Sequence, residues 1–346
     1  MVNQVNQVNM VNQVNQVNMV NQVNQVNMVN QVNQVNQSQV LLLTGFRELG
    51  RFRYVFFSLT CAGYLLIVVL NVSVLVLICA KPRLHQPMYI LLANLLLNTL
   101  IGCAAFYPKL LLDLLSSQQQ VSRCGCLLQA FWVHLYVSVE CNILTVMALD
   151  RYAAVSRPLT YHSLLRPSTV LRLLLGAWLL PAAASTCLIG LSSRLPLCGF
   201  RVSRTFCDNR SITHLSCVDV SLIGGVELLL AAAVIFLPLL LIFGCYVQVL
   251  AVSFRLSSSG RPNKALATCV PHLVTYVSLV CSIVFEVVQP ALANKNLPHA
   301  LRVVMSMEGF LLPPLLNPLI YGVNLPEIRH GFTHLFTRMF TTTRTK

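Results

Sequence analysis

An all-α membrane protein, a bundle of seven transmembrane helices followed by a short amphipathic C-terminal helix, is the fold class the sequence predicts. Three observations carry it. Of 346 residues, 56% are hydrophobic and only 10% charged, with a mean hydropathy of +0.70, whereas a water-soluble domain carries about 25% charged residues. Seven apolar stretches each reach the roughly 20 residues of helix that cross a hydrocarbon core. The gaps between them are short and rich in Pro, Ser and Arg, as turns are. Lipid offers the backbone no hydrogen-bond partner, so every crossing must be helical.

The elements follow in order. Residues 1–40 read as a low-complexity tail, of which 1–36 are four copies of Met-Val-Asn-Gln-Val-Asn-Gln-Val-Asn beginning at Met1, Met10, Met19 and Met28. Valine at every third position matches neither helix nor strand, and uncharged Asn/Gln tracts favour disorder. No basic stretch precedes an apolar core, so the tail is no signal peptide, and the first helix is expected to act as its own insertion signal. A recognition role, a repeat expansion and a start at a later methionine all remain open for it. Residues 41–323 hold the bundle, with spans at 54–80, 87–112, 125–155, 170–191, 220–252, 265–290 and 298–323. Pro238 is expected to bend the fifth span. Residues 324–346 form a tail in which Leu325, Ile328, Phe332, Leu335 and Phe336 fall near helical spacing beside Arg329 and Arg338, the pattern of a helix lying on a membrane surface.

The net charge of +14 raises a nucleic-acid reading, but the basic residues are scattered through loops with no stripe and no aromatic interleaving, so no nucleic-acid partner is expected. Anionic lipid and an acidic protein surface fit better. With the N-terminus outside, a small majority of the 24 Lys and Arg fall inside, a weak positive-inside signal that Arg47, Arg51 and Arg53 oppose. That orientation also leaves two sequons outside, Asn36-Gln37-Ser38 and Asn209-Arg210-Ser211, so Asn36 and Asn209 are the expected glycan acceptors. Asn71-Val72-Ser73 is mid-helix and excluded.

Of the 13 cysteines, those at 61, 79, 103, 141, 187, 245, 269 and 281 lie in or at the edges of apolar spans, as small hydrophobes do. Cys124, Cys126, Cys198, Cys207 and Cys217 cluster on the proposed outer side, where disulfides persist. No metal-ligand spacing accompanies them. A disulfide framework with one thiol left over is expected.

Where the third span meets water, Asp150 and Arg151 stand side by side, followed by Tyr152. Two charges there must neutralise each other or serve a partner; the plain alternative is an arginine reaching to headgroups. Further strings join this one: Leu84-His85-Gln86-Pro87-Met88-Tyr89 before the second span, Pro158-Leu159-Thr160-Tyr161 after the third, Lys264 to Cys269 with His272-Leu273 in the sixth, and Asn317-Pro318-Leu319-Ile320-Tyr321 in the seventh. With the long loop holding three cysteines, these make residues 45–336 resemble an odorant receptor of the rhodopsin-like G-protein-coupled class.

The resemblance implies a set of roles. Cys126 would pair with Cys207 and Cys198 with Cys217, leaving Cys124 free, each bridge adding roughly 2–4 kcal/mol. Arg151 would be held by Asp150 at rest and reach toward a heterotrimeric G protein when active. Tyr152, Tyr246, Lys264, His272, Asn317, Pro318 and Tyr321 complete the expected switch. Pro318 removes a backbone donor and bends the seventh helix, and Asn317 is expected to satisfy the carbonyl so freed. Glu140 falls at a sodium-binding position, but where the wider class has an aspartate this chain has Thr99, beside Asn98. A sodium ion at Glu140 and a neutral Glu140 bonded to Asn94, Asn98 or Asn317 are the two readings. No other cofactor and no metal are implied.

A small-molecule odorant is expected between the third, fifth, sixth and seventh helices, against Val133, His134, Val137, Ser138 and Cys141, with Glu227 and Glu286 the unusual charges near the outer ends. One of the two acids is expected to meet a cationic or hydrogen-bonding ligand, the alternative being a pairing with Arg302 or Lys295. Val133 occupies the place of an aspartate in amine receptors of the class, which disfavours a biogenic amine. The expected site is the plasma membrane. The alternatives are a receptor of the same fold for a metabolite or peptide, or a transporter using Glu140 and Asn98. A transporter lacks support because no inverted repeat is present, and no nucleophile–base pair suggests an enzyme.

Overall fold

In the computed structural model the described residues are 40–46, 49–257, 262–293, 299–325 and 327–329. Among them, seven long helical stretches pack as a bundle. They are α1 (Phe52–Ala80), α2 (Pro87–Leu115), α3 (Arg123–Ser156), α5 (Pro167–Ser192), α7 (Ser221–Ala231) continuing into α8 (Leu237–Ser257), α9 (Pro262–Ala293) and α10 (His299–Asn324). Two short helices, α4 (Tyr161–Leu164) and α6 (Asn209–Thr213), sit in the connections after α3 and α5. The first five stretches are apolar enough along their length to cross a membrane, and at 1.5 Å per residue all seven are long enough. The tail residues 1–39, Asn36 included, and 330–346, with Phe332, Leu335, Phe336 and Arg338, lie outside the described residues.

α3 is the axis of the bundle, packed against α2, α5, α8 and α9, while α10 lies against α1, α2 and α9. The largest core runs from Val74 and Leu77 on α1 through Leu92 and Leu96 on α2 to Ile143 and Met147 on α3 and Tyr321 on α10. Leucines turned outward, such as Leu59, Leu179, Leu222 and Leu240, are what a lipid-facing surface requires. α2 and α3 approach so closely at Gly102 that a Cβ there would meet the Tyr136 ring at 2.5 Å.

The fifth helix does not simply bend at Pro238. Between α7 and α8, residues Ala232–Phe236 widen into a π turn. A proline ring clashes with the carbonyl four residues earlier, here Val234, and an extra residue per turn relieves that clash. Leu237 N–H instead reaches the carbonyl of Ala232.

A small sheet caps one end of the bundle, an element the all-helical expectation did not contain. β1 (Val40–Leu43) pairs antiparallel with β2 (Gln119–Ser122) and parallel with β3 (Arg201–Val202). The period-2 pattern explains it: Leu41 and Leu43 are buried while Val40 is exposed. The same end carries both disulfides, Cys126–Cys207 joining α3 to the long loop and Cys198–Cys217 closing that loop on itself. Cys124 is free and exposed.

Candidate functional site: a cavity, a polar junction and a switch along one helix

Three polar constellations lie along α3, from the disulfide end to the Asp150 end. At the far end, Arg151 Nε donates to His272 Nε2 at 3.2 Å. A guanidinium has no acceptor, so Nε2 must be unprotonated and the ring hydrogen of the neutral imidazole sits on Nδ1. From there it meets the Tyr321 hydroxyl at 3.0 Å. One chain of bonds thus ties α3, α9 and α10. Tyr246 is buried in the surrounding core, and Tyr152 packs against its rim.

Asp150 is more loosely bound to Arg151 than expected, at 3.9 Å. Its closer partner is the hydroxyl of Tyr161, which donates to Oδ1 at 2.7 Å. Tyr161 stands on α4, outside the membrane span. Burial, then the charge of Asp150, hold its hydroxyl well above the usual tyrosine range, so it stays a donor. Tyr161 had been quoted only as part of a motif, with no partner assigned.

At mid-bundle, fully buried Glu140 accepts from Asn98 Nδ2 at 2.9 Å and from Asn317 Nδ2 at 2.8 Å, joining α2, α3 and α10. Asn94 does not take part; it bonds the carbonyl of Ile90. Asn317 is therefore not the group that satisfies the carbonyl freed by Pro318. The missing N–H would have bonded Pro314 O, and Asn71 Nδ2 reaches that oxygen from α1 at 3.0 Å. Burial of the residue on α1 next to the seventh helix decided this, and only packing could reveal it. Asn317 Oδ1 and Thr99 Oγ1 are buried without a partner among the described residues. One carboxylate with spare amide and hydroxyl oxygens around it is a donor set that fits a hard monovalent cation.

Nearer the disulfides, α3, α7, α9 and α10 enclose a cavity of about 240 Å³. Val133, His134, Val137 and Glu227 line it, together with Phe206, Ile235, Leu279, Ser282 and Phe310, which had not been singled out. Ser138 and Cys141 do not line it. Both are buried, and Cys141 belongs to the main core one turn below Val137. His134 Nδ1 meets Ser185 Oγ at 2.8 Å, which leaves Nε2 as its free ring atom. Ser282 bonds Glu308 across α9 and α10 at 2.9 Å.

The loop helix α6 roofs the cavity. Asp208 caps it by accepting from Ser211 N–H at 2.8 Å. Glu227, expected to meet a ligand or pair with Arg302 or Lys295, lines the cavity, accepts from Asn209 Nδ2 at 2.8 Å and faces Arg210 at 3.7 Å. Lys295 and the side chains of Lys264, Glu286 and Arg302 lie outside the described residues. Asn209 also accepts from Ser192 Oγ at 2.6 Å and is only 6% exposed. That corrects its reading as a glycan acceptor: the amide is buried and bonded at both ends, with no room for a sugar.

Comparison with known proteins agrees with the geometry. Residues 60–339 match the family described as "Olfactory receptor". Human olfactory receptor 6N1 is 35% identical over 306 residues, covering 87% of this chain and 97% of that protein. Human olfactory receptor 2G6 is 33% identical over 83% of this chain and 90% of its own length, and human olfactory receptor 2C3 is 32% identical over 86% and 92%. With the family match spanning most of its length, and the helices and motifs described above inside it, this chain belongs to the olfactory receptor family.

Proposed function

We propose that the chain is an odorant receptor of the plasma membrane that binds a small-molecule odorant in the cavity under α6 and activates a heterotrimeric stimulatory G protein, raising cAMP. The observation that carries this reading is the bond chain Arg151–His272–Tyr321. It joins three helices at the end opposite the cavity, where a ligand that shifts α9 or α10 would break it. A ligand moves such an equilibrium only by binding one arrangement better than the other. The cavity lies against α3, α9 and α10, the same helices, which provides that route.

The N-terminus faces outward in this reading, supported by both disulfides lying at the cavity end, since such bonds persist in oxidising surroundings. The G protein then meets the Asp150 end, with Lys264 as a candidate contact. The cavity wall is mostly apolar, with His134, Ser282 and Asn209 as neutral polar residues in it. The charged lining residues face one another, Glu227 with Arg210 at 3.7 Å and Asp208 with Arg204 at 3.1 Å, so an uncharged ligand with one hydrogen-bonding group fits best. Where sodium binds, the Glu140 carboxylate with the spare oxygens of Asn317 and Thr99, beside Asn98, would hold it, and the ion would supply a compensating charge.

The deciding experiment is cAMP measured in transfected cells across an odorant panel, with Arg151→Ala as control. An odorant-evoked rise that Arg151→Ala abolishes at equal surface expression is expected. A rise that survives the substitution would overturn the G-protein mechanism. Responses confined to peptides or charged metabolites would favour a receptor of the same fold with another ligand.

A further inference from the structure

A second cavity, of about 460 Å³, lies outside the odorant site in the cleft between α2 and α3 beneath β2. Its wall grades from polar to apolar along the helix axis. Gln120 and Ser122 stand at the sheet, Lys109 and Gln129 below them with Leu128 beside Gln129, and Ala105 and Trp132 toward the bilayer interior. Lys109 is six residues from the end of α2 at Leu115, about 9 Å inward, the depth at which headgroups give way to acyl chains. Leu112 and Leu128 are largely exposed on this flank, as lipid contact requires.

Two residues that carry donors line this space. Lys109 bonds Asp113 one turn on, which anchors the ammonium and uses one of its three N–H bonds. Gln129 exposes only 7% of its surface. Its Oε1 accepts from Cys207 N–H at 2.9 Å, and its Nε2 has no partner among the described residues. An amide donor left open on the wall that also carries an ammonium asks for an anionic oxygen. The Lys109–Asp113 pair is neutral as a unit, so the site does not gather ions by net charge. It favours a phosphate delivered by an apolar anchor.

We propose that this cleft binds a membrane phospholipid, the phosphate oxygens accepting from Lys109 Nζ and Gln129 Nε2 and an acyl chain lying along Leu128 and Trp132. Gln129 also holds Cys207, whose neighbour Phe206 lines the odorant cavity, so Gln129 links the lipid to the loop over that cavity.

The test uses the purified full chain in detergent, titrated with dioctanoylphosphatidylcholine, dioctanoylglycerol or inorganic phosphate and followed by native mass spectrometry. Saturable binding of the phospholipid alone is expected. It should weaken about tenfold or more in two variants: Lys109→Gln with Asp113→Asn, which removes both charges together, and Gln129→Glu, which keeps the acceptor for Cys207 but replaces the donor. Arg83→Gln, at the opposite end, should bind as the wild type. A reading without variants is the rate of Lys109 acetylation by an activated ester, which the phospholipid should slow and dioctanoylglycerol should not. Unchanged affinity in either variant that folds, equal binding of dioctanoylglycerol, saturation by inorganic phosphate, or unprotected acetylation would each overturn the proposal.

Discussion

Arg151 and His272 face each other across α3 and α9 with a 3.2 Å bond, closer than the 3.9 Å that separates Arg151 from its own neighbour Asp150. The arginine is thus held mainly by another helix. The acid beside it is held mainly by Tyr161. The lock is an interhelical one, and its two halves can be loosened separately.

Replacing His272 by alanine removes the acceptor for Arg151 and the partner of Tyr321. A bond to a charged donor contributes about 1.5–3 kcal/mol, so ligand-independent cAMP should rise about tenfold at matched surface expression. Tyr321→Phe, which removes only one bond, should raise it less. Basal signalling at the wild-type level in His272→Ala would show that the contact is packing alone.

Tyr161→Phe leaves Asp150 without its closest donor while conserving the ring. The unfolding temperature should fall by about 3–5 °C. Trypsin should also cut faster at Arg157, in the turn between α3 and α4. An unaltered melting curve and cleavage rate would mean that the Tyr161 bond contributes nothing measurable.

The Glu227 contacts differ in worth. Arg210 is 45% exposed at 3.7 Å, and an exposed ion pair contributes little, whereas the Asn209 bond is largely sheltered. Glu227→Gln should therefore leave odorant potency within about twofold of wild type, and Glu227→Ala should shift the half-maximal concentration about tenfold upward by loosening the roof. Equal shifts in the two variants would assign the effect to charge instead.

Asn209→Gln should leave electrophoretic mobility unchanged, because a side chain bonded to Ser192 and Glu227 carries no glycan. The lost bonds should appear as lower surface expression. A gain in mobility matching that of enzymatic deglycosylation would show that the buried placement is wrong.

Much of the bundle could be read in advance because hydrophobic length is a local property: Leu-rich runs of membrane length are helices wherever they occur. The chemistry-bearing residues Asp150, Arg151, His272 and Tyr321 were legible as a set through their motif strings. Their partners were not. Asn71 was dismissed as an unusable sequon and turns out to satisfy the carbonyl that Pro318 frees, across 243 positions of chain. Ser138 and Cys141 share the sequence spacing of Val133 and Val137, but the cavity ends a turn above Cys141. Asn209 matched a three-residue pattern, and a pattern says nothing about burial.

By itself, then, the sequence determined the class of fold, the number and rough limits of its helices, the family, and the candidate switch, all of which depend on composition and on residues near one another along the chain. Only the tertiary structure decided who bonds whom: that Glu140 is shared between Asn98 and Asn317, that Glu227 bonds Asn209 on the helix over the cavity, and that Gln129 reaches the Cys207 loop while lining the cleft between α2 and α3. Hydrogen bonds form over about 3 Å, and which groups come that close is set by how helices rotate and pack, which no local pattern encodes.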